Sequence, residues 1–174
     1  GMAGASVAYR LAQKGASVIV LERESQPGYH STGRSAAMFM ESYGTDQIRA
    51  LTRASRGFYT NPPEGFCTNE LLPARDVLYV GQHGQQQLLD DALAMYLNDG
   101  LEAEMISAAR AKEMVPVLDE TKLIGAVHDK AATDIDVAEL HQGFLRGMRE
   151  KGAALRCNAE VLKAERDAAT GVWS

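Results

Sequence analysis

The chain has little cysteine. Of 174 residues only Cys67 and Cys157 are cysteines, and they form neither a C-x-x-C pair nor a metal-ligand spacing. That excludes a disulfide framework and leaves two reduced thiols, as expected of a cytoplasmic protein, with association at the inner face of a membrane left open. Basic charge is also short: 18 Lys and Arg stand against 23 Asp and Glu, for a net charge of -5. Without a basic stripe to neutralise phosphates, nucleic acid is excluded as a partner. No apolar run approaches the roughly 18–20 residues of a membrane span, and no signal peptide is visible. Internal repeats and low-complexity tracts are absent too. His83, His128 and His141 lack metal-ligand spacing, Asp134 and Asp136 suit turn and helix-cap roles, and no metal is expected. What remains is the ordinary composition of a soluble globular protein, 45% hydrophobic and 24% charged. Its length can bury one good core but is short for a complete two-domain enzyme.

The first residues are the most informative. Gly1-Met2-Ala3-Gly4 has the form of the last two glycines of a G-x-G-x-x-G turn. A helix over Gly4–Lys14 follows, with Ala3, Val7 and Leu11 in a stripe that Ala8 and Ala12 widen, and Gly15 as its stop. Ser17–Leu21 reads as a parallel strand buried on both faces, ending in the acid Glu22. Glycine turn, helix, strand and terminal acid are most of one βαβ unit that holds a dinucleotide. Free N–H groups at the helix start meet the pyrophosphate, and the carboxylate reaches the adenosine ribose. The first glycine and the strand before it would precede Gly1, so the chain is expected to lack the central strand of its sheet. Glu22 disfavours a 2′-phosphate, hence NADP.

Further along, Pro27, Gly28 and Gly33 with several hydroxyl residues make a loop, and Arg34–Met40 is expected to begin a short helix. Thr45 caps a predicted helix from Asp46 to about Tyr59 with Ile48, Leu51, Ser55 and Phe58 inward, stopped by Asn61-Pro62-Pro63. Strands are predicted at Val77–Val80, Leu101–Ile106 and Leu123–His128. Helices are predicted at Gln85–Leu97 and after Ser107. This is the pattern of an antiparallel α+β insertion. Asp136 opens a long predicted helix with Leu140, Phe144, Leu145 and Met148 inward and Gly152 as its stop. His141 is expected to decorate its surface. Strands at Ala154–Cys157 and Val161–Glu165, a turn at Asp167–Gly171 and the start of a strand at Trp173-Ser174 complete the reading.

The loop after Glu22 separates this chain from nicotinamide-type Rossmann units, which proceed directly to their next helix. Its glycines, hydroxyls and the small residues Ser35, Ala36 and Ala37 let backbone pass under a flat ring and donate hydrogen bonds to it; a plain surface loop has the same composition. His30 is better explained as a hydrogen-bonded loop histidine than as a cofactor attachment point. Glu102 and Glu104 alternate on one solvated strand face, and Met38 and Met40 are expected to fill core.

Taken together, G-M-A-G-A, V-I-V-L-E-R-E and H-S-T-G-R-S-A-A resemble the D-amino acid oxidase-like (DAO) family of FAD-dependent oxidoreductases. The likeness is nearest to its bacterial D-arginine and D-amino acid dehydrogenase branch, and it runs on through Y-G-T-D-Q-I-R-A-L-T-R-A-S-R, N-P-P-E-G-F-C and D-I-D-V-A-E-L-H-Q-G-F-L-R-G. The resemblance implies an α/β fold: a Rossmann-like FAD-binding domain of glutathione-reductase-like topology, lacking its first strand, with an inserted α+β substrate-domain segment. The implied division is 1–65 and 133–174 for FAD binding, the latter incomplete, and 66–132 for substrate. FAD is the implied cofactor. Gly1, Ala3 and Gly4 would line its pyrophosphate and Glu22 with Arg23 its adenosine ribose. Ser31, Thr32, Arg34, Ser35 and Ala37 would contact the pyrophosphate and flavin side, and Val161 would set backbone against adenine. Tyr43 matches a substrate-side tyrosine.

The implied reaction is oxidative deamination of a D-amino acid or related amine. Hydride passes from the substrate Cα to flavin N5, and the imine product hydrolyses to a 2-keto acid. Two residues depart from the D-arginine pattern: Met38 replaces a histidine beside the flavin, and Val77 holds the place of an acid, with Asp76 one position early. A guanidinium entering without a buried carboxylate would cost several kcal/mol, so a neutral or N-methylated amino acid, as in sarcosine or glycine oxidation, fits equally well. The electron acceptor (oxygen, quinone or another) is open. The family's substrate-carboxylate arginine lies in a later half, so these 174 residues alone are expected to be inactive and to bind FAD weakly. A non-catalytic nucleotide-binding module is the alternative from another class.

Overall fold

The computed structural model describes residues 1–172, so the strand start expected at Trp173-Ser174 lies outside the described residues. In chain order the elements are α1 (Met2–Gln13), β1 (Ile19–Leu21), β2 (Met38–Phe39), α2 (Asp46–Thr60), β3 (Val77–Gln82) and α3 (Gln86–Asn98). There follow β4 (Ala103–Ile106), α4 (Ala108–Met114), β5 (Leu123–Asp129), β6 (Thr133–Asp134), α5 (Val137–Glu150) and β7 (Ala154–Arg156). They form two compact units. The first comprises residues 1–36, 64–69 and 137 onward, and the second residues 37–63 and 70–136.

In the first unit β1 pairs in parallel with β7, Val20 opposite Leu155. α1 ends in a Schellman motif: Gly15 at φ 82° lets Ala16 N–H donate to Leu11 O and Gly15 N–H to Ala12 O. The helix does not bury the 3-7-11 stripe that the sequence predicts. Ala5, Ala8, Tyr9 and Ala12 are buried, while Val7 is 57% and Leu11 44% exposed. The cause lies in α5, whose glycines leave hollows for aromatic rings. A Cβ on Gly147 would come within 2.5 Å of the Tyr9 ring, and one on Gly143 within 2.6 Å of the Phe66 ring and carbonyl oxygen. Tyr9, Phe66 and Phe144 pack edge-on or tilted, with ring centroids 5.1–5.7 Å apart. Leu140, Phe144, Leu145 and Met148 are buried as expected, but so is His141.

Two strand expectations fail here. β1 is not buried on both faces, because among the described residues it has a strand on one side only and Ile19 and Leu21 stay about half exposed. Residues 161–165 join no strand among the described residues, and Val161 and Leu162 are exposed. The turn at 167–171 forms, its Asp167 carboxylate accepting the Ala169 and Thr170 N–H groups.

The second unit is built on an antiparallel sheet of order β3-β5-β4, covered by α3 through Leu89 and Tyr96 against Val127. Thr45 and Ser107 cap α2 and α4 as their positions predict, accepting from Ile48 and Arg110 N–H respectively. α2 turns a different face inward from the apolar one expected. Ile48, Leu51 and Ser55 are exposed, while Arg49 pairs with Asp99 at 2.8 Å and Arg56 with Glu41 at 2.7 Å. Long basic side chains anchor this helix by charge, and the Arg56 guanidinium also lies over the Phe39 ring, 4.9 Å from its centroid. The short helix expected at Arg34–Met40 is absent: Ala37 at φ 54° breaks any right-handed run, and Met38–Phe39 pairs antiparallel with Thr133–Asp134.

Candidate functional site

The site is built at the N-terminus of α1. Its first intrahelical bond runs from Ala5 N–H to Gly1 O, leaving the N–H groups of Met2, Ala3 and Gly4 without a helical acceptor. Thr32 Oγ1 takes the Met2 N–H at 2.8 Å. A Cβ on Gly1 would stand 3.0 Å from that oxygen, whereas one on Gly4 would meet nothing within 4 Å among the described residues beyond its own helix backbone and chain neighbours. The surface of Gly4 is therefore open, beside free N–H donors at the positive end of a helix of 12 residues.

β1 delivers Glu22 to the same place. Its Oε2 lies 3.7 Å from Gly1 N, and its Oε1 accepts the Glu24 N–H. The backbone of Glu22 also accepts from Ala159 N–H, and Arg23 reaches Glu160 at 4.0 Å, so the segment carrying Val161 is tied to the end of β1. Arg23 and His30 share one partner that the sequence reading missed: Glu24 Oε1 lies 2.7 Å from His30 Nε2 and 3.1 Å from Arg23 Nη2. Hydrogen bonds from His30 and Arg23 hold the Glu24 carboxyl below its ordinary pKa. His30 is thus a hydrogen-bonded loop histidine.

The loop at 27–36 folds back on itself. Gly28 adopts φ 86°, and Gly33 N–H donates to Gly28 O at 2.7 Å, a closure that leaves no room for a Cβ on Gly33. Ser31 and Ser35 are exposed, and the Arg34 guanidinium lies 5.1 Å from the Tyr29 ring centroid. His141, expected on a helix surface, is instead 4% exposed and lies against Gly28. Gly1, Ala3, Gly4, Glu22, Arg23, Ser31, Thr32, Arg34, Ser35 and Val161 all belong to the first unit. Ala37 and Tyr43 belong to the second, where Ala37 O accepts Ile135 N–H and Tyr43 is 72% exposed. Among the described residues no group of three or more His, Cys, Asp or Glu is placed to hold a metal, and no helix is long and apolar enough to cross a membrane.

With this geometry in place, the whole chain, residues 1–174, matches the family described as DAO: FAD dependent oxidoreductase. The chain belongs to the DAO family. Its fold is the mixed α/β fold of the FAD-binding domain of DAO flavoenzymes. It is similar to L-proline dehydrogenase from P. horikoshii (TM-score 0.79, 21% identity, 97% of this chain and 44% of that one). Glycine oxidase from Bacillus cereus gives a TM-score of 0.81 at 19% identity, over 97% of this chain and 47% of that one. L-alpha-glycerophosphate oxidase from Mycoplasma pneumoniae with FAD bound gives 0.82 at 11% identity, over 97% and 45%. The chain thus spans less than half the length of each.

The cofactor of the DAO family is FAD, and the residues present fit it. The space over Gly4 and the unclaimed N–H groups of Ala3 and Gly4 suit a diphosphate, and the Glu22 carboxylate beside them suits ribose hydroxyls. A buried nitrogen of His141 also has no hydrogen-bond partner among the described residues.

Proposed function

We propose that the full-length protein is a FAD-dependent amino acid dehydrogenase or oxidase that removes hydride from the Cα of a D-amino acid or related amine. The observation that carries this reading is the open α1 N-terminus, closed on one side by the hydroxyl loop through Thr32 and flanked by Glu22. FAD, when bound, would supply the acceptor for the hydride, which carries both electrons; the amine nitrogen gives up a proton, and the released imine hydrolyses in water to a 2-keto acid. The chain's own residues bind and orient. Ala3 and Gly4 donate N–H groups to the diphosphate, Glu22 and Arg23 hold the adenosine ribose, and the backbone near Val161 lies along adenine. Ser31, Thr32, Arg34, Ser35 and Ala37 serve the diphosphate and flavin side, and Tyr43 serves the substrate. Residues 1–65 and 133–174 do the cofactor's work in this scheme, and residues 66–132 the substrate's.

The substrate side chain is neutral in this reading. Asp76, the nearest acid to the position where a basic substrate would need one, already bonds His128 Nε2 at 2.8 Å. Without a free carboxylate, a guanidinium would be desolvated unpaired. N-methyl amino acids or glycine form the second reading, favoured by the same lack of a charge partner and by the likeness to glycine oxidase. Anaerobic bleaching of the flavin absorbance of the full-length protein tests both. Rapid bleaching by neutral D-amino acids, and not by D-arginine, supports the first reading. Bleaching by sarcosine or glycine alone supports the second, and a colourless protein with no FAD affinity sinks both in favour of a non-catalytic nucleotide-binding module.

A further inference from the structure

α5 turns Leu140, Phe144, Leu145 and Met148 into the core, yet one buried position on the same face is a histidine. His141 is 4% exposed, and its Nε2 is buried with no hydrogen-bond partner among the described residues. Buried polar atoms are rarely left unpaired because the loss of hydration is not repaid, so a partner other than the described groups is called for. The surroundings narrow what that partner is. A Cβ on Gly28 would stand 3.1 Å from His141 Cε1 and 3.2 Å from Nδ1, so the ring supports the turn from beneath. The same turn carries Thr32, whose methyl lies 3.6 Å from that point and whose hydroxyl caps the first N–H of α1. The charged side chain that bears on the ring is Glu22 at the end of β1. His141 therefore lies behind the meeting point of three segments: the start of α1, the end of β1 and the glycine loop.

We propose that His141 is a positioning residue of the dinucleotide site, bracing the Gly28 turn and hydrogen-bonding through Nε2 to the bound dinucleotide or to a water held with it. The proposal rests on the FAD reading above. It explains why a polar ring occupies a core position on an otherwise apolar helix face. It also explains why glycine stands at 28: any side chain there would displace the ring as well as strain a φ of 86°. A ring nitrogen that is donor or acceptor according to tautomer can serve either a phosphate oxygen or a water.

The test uses the full-length apoprotein with FAD and ADP as probes. FAD affinity is measured by quenching of flavin fluorescence for the unaltered protein, His141→Gln and His141→Leu, and the imidazole 15N shifts of His141 are followed during an ADP titration. Loss of one buried hydrogen bond corresponds to about tenfold in affinity. The expected result is about tenfold or greater weakening in His141→Leu, less than about threefold in His141→Gln, whose Nε2 replaces that of the ring, and an ADP-dependent shift at Nε2 with exposed His83 unmoved. Equal behaviour of the two variants with an unmoved Nε2 overturns the proposal and leaves a core histidine. If His141→Leu does not fold, the 15N titration of the unaltered protein decides. An unaltered protein that binds neither probe overturns the cofactor reading and this proposal together; binding with a silent His141 overturns this proposal alone.

Discussion

Thr32 Oγ1 accepts the Met2 N–H at 2.8 Å across 30 residues of sequence. The glycine- and hydroxyl-rich loop is thereby fastened to the N-terminus of α1, and the segments expected to hold the two sides of a cofactor become one surface. Thr32→Val keeps the shape and removes the acceptor, so it is expected to lower stability by about 1 kcal/mol and to weaken FAD binding. Thr32→Ser retains both. Thermal unfolding with a parallel FAD titration checks this, and equal values for Val and Ser would contradict it.

The packing of α5 depends on what it lacks. Gly143→Ala places a methyl 2.6 Å from the carbonyl oxygen of Phe66 as well as from its ring, and a backbone oxygen cannot step aside as a side chain does. Helix propensity alone favours alanine by up to about 1 kcal/mol, but overpacking of this kind costs about 1–3 kcal/mol. Net destabilisation is expected, seen as a lower denaturation midpoint; a more stable Gly143→Ala protein would refute the packing account.

How much of this was legible in the sequence follows from what kind of signal each element carries. α2 and α4 announce themselves through Thr45 and Ser107, and α5 through its 140-144-145-148 spacing, because caps and periodicity are local. The inward faces of α1 and α2 are not local. Tyr9 is buried because Gly147 makes room for it, and α2 is held by Arg49 and Arg56 rather than by Ile48 and Leu51. Ala37 at φ 54° carries no compositional warning at all. His141 was legible by position: it lies three residues before Phe144 and four before Leu145, on the apolar face, and only its polar character argued for the surface. The glycine turn, Glu22 and the loop were visible as motifs. Their joining through Thr32, and the Glu24 carboxylate between Arg23 and His30, needed the fold.

Burial pushes the His141 imidazole below its ordinary pKa, opposed by Glu22. The folded chain then binds fewer protons there than the unfolded chain, whose histidine titrates near about 6.5. This stabilising contribution is complete above about pH 6.5 and is lost as pH falls towards the folded value. The carboxylates held low by their partners, Glu24, Glu104, Asp119 and Asp167, lose their contributions only below about pH 4.5. A falling urea midpoint between about pH 7 and 5 is expected, with a shallower fall in His141→Gln. Identical pH slopes in the two proteins would show that His141 does not titrate in this way.

In the second unit Asp129 is 1% exposed and fully employed. Its Oδ2 accepts Tyr96 OH at 2.9 Å and Ser42 Oγ at 3.5 Å, and its Oδ1 accepts Ala131 and Ala132 N–H. Asp129→Ala would strand two backbone donors and a buried phenol, a loss of about 3 kcal/mol or more. Asp129→Asn keeps one carbonyl oxygen for either set and should lose less. Urea titration of both variants distinguishes a working buried acceptor from a dispensable one.

The central claim is that the open face of Gly4 is cofactor space. Apart from its own helix backbone and chain neighbours, a Cβ there meets nothing within 4 Å among the described residues, and alanine is the better helix former, so Gly4→Ala should leave the fold intact or slightly more stable. The deciding measurement is FAD affinity of the full-length apoprotein before and after Gly4→Ala, alongside its unfolding midpoint. The account predicts an unchanged or raised midpoint with FAD binding weakened by about tenfold or more, since a methyl would hold the diphosphate off the free N–H groups. Unchanged FAD affinity in a folded Gly4→Ala protein, or no FAD binding before the substitution, would contradict it.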